Sequence, residues 1–244
     1  SVAMKKIILV SNDAPQSGKT TFARVLEQAY ERKGIEVTSI YTAAAAAPDE
    51  TAFWDLEEDP EPTPILAALA ESDAVIVAVA SGLAPAFVEL FNDYGLFDSI
   101  LEFDADLCLA IPANDTDLAS QSAAALGEAF ADNADYMLLS MPFVPEDETT
   151  ATWSGSYGEK VMDYLGATVI EVPEFDAEMS SELAENGLDL ATALTRRKEL
   201  PRYLRDAVHS WELSFAEAIG DCEDQWVPES TGVKSVYESS AISY

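Results

Sequence analysis

Lys19 stands between Gly18 and Thr20 at the end of the stretch Ser11-Asn12-Asp13-Ala14-Pro15-Gln16-Ser17-Gly18-Lys19-Thr20-Thr21. These residue types, in this order, suit the binding of phosphate. Glycine lets the backbone approach an anion, an ammonium group neutralises the β- and γ-phosphates, and a neighbouring hydroxyl can hold Mg²⁺. From Asp13 to Thr20 the spacing is that of a phosphate loop, G-x-x-x-x-G-K-T, with aspartate in place of the first glycine. A carboxylate aimed at a triphosphate would repel it, so Asp13 is expected to point away or to cap the turn. Ala14, Pro15, Gln16 and Ser17 fill the loop, and Thr21 offers a second hydroxyl.

Such a loop works only between a buried strand and a helix, so that successive N–H groups converge on the anion. Both are expected here. Ile7-Ile8-Leu9-Val10 reads as a buried strand, and an amphipathic helix follows from Thr20 to Arg32, closed by Lys33-Gly34. Beyond it, apolar runs alternate with helical patterns, which predicts strands at 37–41, 74–79, 106–111, 136–141 and 168–172. Helices are expected at 65–70, 84–94, 117–131, 158–165, 177–195 and 200–219. This alternation predicts an α/β fold with one mainly parallel sheet and helices on both faces. Residues 4–224 are read as one domain and 225–244 as a tail, with Ser1-Val2-Ala3 a remnant before a natural start at Met4. The acidic, Pro- and Ala-rich stretch 43–64 reads as a long excursion.

Composition limits the partners. The 244 residues carry 45 acidic and 13 basic side chains, a net charge of −32. That field repels nucleic acid and anionic lipid unless positive charge is gathered somewhere. No Lys or Arg occurs between Lys33 and Lys160, whereas Arg196, Arg197, Lys198, Arg202 and Arg205 fall within one short stretch. That stretch either pairs with the protein's own acidic surface or receives a partner; non-specific DNA binding is not expected. No apolar run reaches the ~20 residues of a membrane span. Cys108 and Cys222 form no framework and read as reduced thiols of a cytoplasmic protein. With His209 as the only histidine, expected to be structural or exposed, no Ser/His/Asp or Cys/His set can be assembled. Asp104 and Asp106 are expected to cap a strand end.

Gly18-Lys19-Thr20-Thr21 and the strand pattern resemble the ParA/MinD-type P-loop ATPases, within the class shared with dethiobiotin synthetase and the signal-recognition GTPases. Gly34-Ile35-Glu36-Val37, Ser72-Asp73-Ala74-Val75-Ile76-Val77 and Ala167-Thr168-Val169-Ile170-Glu171-Val172-Pro173 resemble three further signatures of that family. The nearest likeness is to plasmid-maintenance proteins of the StbB/TraL kind. The resemblance implies ATP or ADP with Mg²⁺, bound by residues 13–21 with Lys19 as the catalytic cation and Thr20 as the metal ligand, and adenine bordered by Pro173. It also implies a nucleotide-dependent switch that binds a protein partner or a second copy of itself in plasmid or chromosome maintenance or cellular positioning. The alternatives are a small-molecule enzyme similar to dethiobiotin synthetase and a non-hydrolysing adaptor.

The departures from that family concern charge. Its signature lysine falls at Ala14, its aspartate after the second strand at Tyr41–Ala43, and its Walker B aspartate at Ala78, while Gly82 is retained. Phosphoryl transfer depends on positioning and charge stabilisation, so these losses predict slow or absent hydrolysis. Asp49, Glu50, Asp55, Glu89 and Asp93 are the substitutes the sequence offers.

Overall fold

Ile7 to Val10 are apolar at every position because helices cover both faces of the strand they form. The computed structural model describes residues 5–142 and 151–229. In it the chain runs through β1 (Lys5–Val10), α1 (Lys19–Arg32), β2 (Val37–Tyr41), α2 (Thr63–Glu71), β3 (Ala74–Ala78), α3 (Ala84–Asp93) and α4 (Leu96–Glu102). There follow β4 (Ala105–Ala113), α5 (Asp117–Phe130), β5 (Asp135–Ser140), α6 (Tyr157–Tyr164) and β6 (Thr168–Glu171). The helices α7 (Ala177–Glu185), α8 (Leu190–Thr195), α9 (Arg202–Gly220) and α10 (Glu223–Trp226) end the described chain.

All six strands form one sheet in the order β2-β3-β1-β4-β5-β6, and every neighbouring pair is parallel. Side chains alternate across it, as the pleat requires. Ile7 and Leu9 enter a core with residues of α2 to α6, while Ile8 and Val10 enter a second core with residues of α1, α8, α9 and α10. This is the expected α/β P-loop NTPase architecture.

Three local expectations change. Seven residues that the sequence reading left unassigned, Leu96–Glu102, form α4. The helix expected over 177–195 is two, because Gly187 takes φ 71° after Asn186 and ends the first one. That left-handed conformation is cheap only for glycine. Third, the expected body ended at 224, yet Trp226 is 1% exposed. Its ring meets Tyr30 edge-on with centroids 5.2 Å apart, and its carbonyl accepts from the Tyr30 hydroxyl at 2.6 Å. An aromatic side chain of that size buries too much apolar surface to be left in a tail. Residues 230–244 of the expected tail and Ser1-Val2-Ala3 lie outside the described residues.

The sheet order positions the site. From β1 the chain moves outward to β2, returns to β3 beside β1, then crosses to β4 on the opposite side. β1 therefore sits at the switch point, where open parallel sheets bind ligands beyond the carboxyl ends of their strands. The stretch 11–18 leaves β1 at that end.

Candidate phosphate site

Gly18 is the N-cap of α1 and takes φ 93°, a conformation that admits few other residues. Its α-carbon also faces Met141, since a Cβ built on it would lie 2.4 Å from the Met141 terminal methyl. Gln16 also has a positive φ, 53°, so the loop turns back before the helix begins. Gly18 gives α1 no side-chain cap, and no other described side chain accepts from its first N–H groups. The N-cap residues of α2, α4, α9 and α10 give no side-chain cap either, whereas α5, α6, α7 and α8 are each capped by a Thr, Ser or Asp side chain. The first N–H groups of a helix and the positive end of its dipole suit an anion.

Lys19 is buried, and its ammonium donates to Ala14 O (3.1 Å), Ser17 Oγ (3.1 Å) and Ser81 Oγ (2.8 Å). All three acceptors are neutral, and Lys19 makes no ion pair with the described residues. Burial lowers its pKa from the ordinary 10.5 to about 8, against an opposing pull from the Asp13 carboxylate. Buried charges are usually paired.

Asp13 does cap, but not its own turn. Its Oδ1 accepts from Gly82 N–H (2.9 Å) and Ala84 N–H (3.0 Å) at the start of α3. Ala14 is buried, and its N–H donates to Asn12 Oδ1 at 2.8 Å. Pro15 is half-buried, Gln16 exposed and Ser17 buried against Lys19. Thr20 and Thr21 are half-buried in the first turn of α1. Residues 13–21 therefore form one loop and the first turn of α1. Pro173 lies apart from them. It follows β6, the sheet edge about 14 Å across three strand spacings from β1, and its carbonyl accepts from Trp211 Nε1 at 2.7 Å.

The residues fit a phosphate chain: an ammonium with no ion pair and a helix start with no side-chain cap among the described residues, and a close backbone approach. Two buried polar atoms at the same sheet end, Ser11 Oγ after β1 and Asn114 Nδ2 after β4, have no hydrogen-bond partner among the described residues. For Mg²⁺ the fit is thinner. Thr20 supplies a hydroxyl, but Ala78 and Tyr41 end their strands without a carboxylate, and Thr42 Oγ1 binds Ala78 O (3.3 Å) and Ala80 N–H (2.8 Å). The substitutes are engaged locally or exposed. Asp49 caps a 3-10 turn at Glu50–Ala52, Asp55 accepts from Glu57 N–H, and Glu89 and Asp93 are exposed on α3. Among the described residues no group of three or more His, Cys, Asp or Glu could hold a metal. A bound Mg²⁺ would take its other ligands from phosphate and water.

The basic stretch answers to the protein's own acids. Arg196 pairs with Glu199, Arg202 with Asp206 at 3.8 Å, and Arg197 with Glu212, which also binds Arg32 at 2.8 Å. Residues 194–199 and Gln28 nevertheless line a cavity of about 470 Å³. His209 is exposed, at 3.2 Å from Arg197 Nη1. Asp106 pairs with Lys6 at 3.1 Å rather than capping. Both cysteines are free. Among the described residues no helix is long and apolar enough to cross a membrane.

No family model and no curated protein matches the chain. Among solved structures it is similar to the MinD cell division protein of Aquifex aeolicus, at 14% identity over 84% of this chain and 95% of that one, with a TM-score of 0.45. A McdA–ATP complex from Cyanothece matches at 16% identity over 89% and 97%, with a TM-score of 0.39. The signal recognition particle 54 kDa protein of Aeropyrum pernix, in complex with GDP, matches at 22% identity over 69% and 41%, with a TM-score of 0.40. Fits this loose say nothing about what the chain binds.

Proposed function

We propose that the chain binds ATP or ADP through residues 13–21 and acts as a nucleotide-dependent switch that engages a protein partner or a second copy of itself. The observation that carries this reading is Lys19: a buried ammonium whose partners among the described residues are all neutral, at the start of α1 and at the switch point of a parallel sheet. The β- and γ-phosphates supply the missing counter-charge. Gly18 and the first N–H groups of α1 cradle oxygens, and Thr20 holds Mg²⁺. Pro173 borders the base in this reading.

Hydrolysis is slow or absent, because the strand ends that flank the loop carry Ala78 and Tyr41 where a carboxylate would orient water or metal. The sequence resemblance to ParA/MinD-type ATPases supports a role for such a switch in plasmid or chromosome maintenance, or in positioning cellular components. Calorimetry on Lys19→Ala tests the reading. A folded variant with no measurable ATP or ADP binding is expected, and unchanged affinity would sink it.

A further inference from the structure

Asp13 takes the place of a glycine, and its contacts give that substitution a use. Ala84 opens α3, whose own N-cap residue, Leu83, supplies no side-chain cap. The Asp13 carboxylate serves instead, satisfying the Gly82 and Ala84 N–H groups across 69 and 71 residues of sequence. An anion at a helix start also gains from the helix dipole. From the other side, Asp13 N–H donates to Ser122 Oγ of α5 at 2.9 Å, and Asn12 Nδ2 donates to Ala119 O at 3.1 Å. Residue 13 is therefore pinned between α5 and the start of α3.

Three residues of the β3–α3 turn touch the phosphate loop. Gly82 and Ala84 do so through Asp13. Ser81 does so by accepting from Lys19 Nζ (2.8 Å) and donating to Ala14 O (3.3 Å). These contacts respond differently to a ligand. An anion drawn to Lys19 competes with Ser81 for the ammonium protons, while the Asp13 hold on Gly82 and Ala84 faces no such competition. The turn stays in place as one of its hydroxyls changes partner.

Resting on the nucleotide reading above, we propose that Asp13 is a positioning residue that holds the 81–84 turn against the phosphate loop, so that Ser81 senses how many phosphates are bound. The group recognised is a terminal phosphate oxygen, which accepts from the Ser81 hydroxyl in place of Ala14 O once Lys19 has turned to the ligand. With glycine at 13 the turn would lose both tethers, and a terminal phosphate would meet no fixed hydroxyl.

The test pairs amide hydrogen exchange with calorimetry. The Gly82 and Ala84 amides of the wild-type protein should exchange slowly with or without nucleotide. In Asp13→Gly they should exchange at least about tenfold faster, whereas Asp13→Asn, which keeps an acceptor oxygen, should restore protection. The ratio of affinities for a non-hydrolysable ATP analogue and for ADP should fall about tenfold in Asp13→Gly and in Ser81→Ala, and hold in Asp13→Asn. Unchanged exchange at 82 and 84 in Asp13→Gly overturns the tether, and an unchanged ratio overturns the sensing role. Wild-type protein that binds neither nucleotide would overturn the nucleotide reading itself, an outcome distinct from binding without discrimination.

Discussion

Raising the pH from 7 to 9 should weaken nucleotide binding about tenfold through Lys19. Burial, partly offset by Asp13, brings its pKa to about 8. The ammonium is then about nine-tenths charged at pH 7 and one-tenth charged at pH 9. Bound phosphates favour the charged form, so binding at pH 8 should take up about half a proton per nucleotide. The assay is calorimetry at pH 7, 8 and 9, with the pH 8 titration repeated in buffers of different ionisation heat. Lys19→Arg is the control, because a guanidinium stays charged throughout and should give a flat profile. The same lysine sets a trend in stability. Its folded pKa lies below its ordinary 10.5, so between about pH 8 and 10.5 the unfolded chain binds more protons, and the nucleotide-free fold gains stability as pH rises. That gap corresponds to about 3 kcal/mol, and saturating nucleotide should abolish the gain. A wild-type affinity that is constant from pH 7 to 9, or an equal slope in Lys19→Arg, would refute the reasoning.

Steady-state ATP hydrolysis by the isolated protein should run well below ~1 s⁻¹; tens of turnovers per second would mean that another carboxylate serves the site. Labelled duplex DNA at about 0.15 M salt should not bind, since Arg196, Arg197 and Arg202 already pair with Glu199, Glu212 and Asp206. Micromolar binding that disappears when the five basic residues become Gln would reverse that view. Replacing both Arg32 and Arg197 by Met strands the Glu212 carboxylate, which has no exposed surface. Urea melts should show a loss of about 3–5 kcal/mol, and a loss under about 1 kcal/mol would mean that the carboxylate finds other partners.

Much of this fold can be read in the sequence because its strands are buried on both faces, and unbroken apolar runs such as Ala74–Ala78 leave little choice of period. The strand–loop–helix at 5–32 carries its own signal in Gly18-Lys19-Thr20. The failures have local causes. Leu96–Glu102 is too short a helix to show periodicity, and Asn186-Gly187 is a breaker inside a pattern that otherwise continues. Trp226 sits among polar residues, and only its size hinted at burial. The site was legible in its donors and not in its long-range partners. Nothing in the spacing announces that Lys19 meets Ser81, 62 residues on, or that Asp13 caps α3. Likewise the basic stretch was visible, but its pairing with Glu212 required the α9 helix to be folded beside it.

The two cores draw on different parts of the chain. The one containing Ile7 and Leu9 is complete by Ala167, whereas the one containing Ile8 and Val10 waits for Leu204, Trp211, Phe215 and Trp226. On a ribosome working at 5–20 residues per second, that last cover arrives roughly 10–40 s after β1. Until then Phe22, Leu26 and Tyr30 of α1 present an open apolar stripe to the cell. Half of the sheet is thus finished during synthesis, and the other half depends on its closing residues.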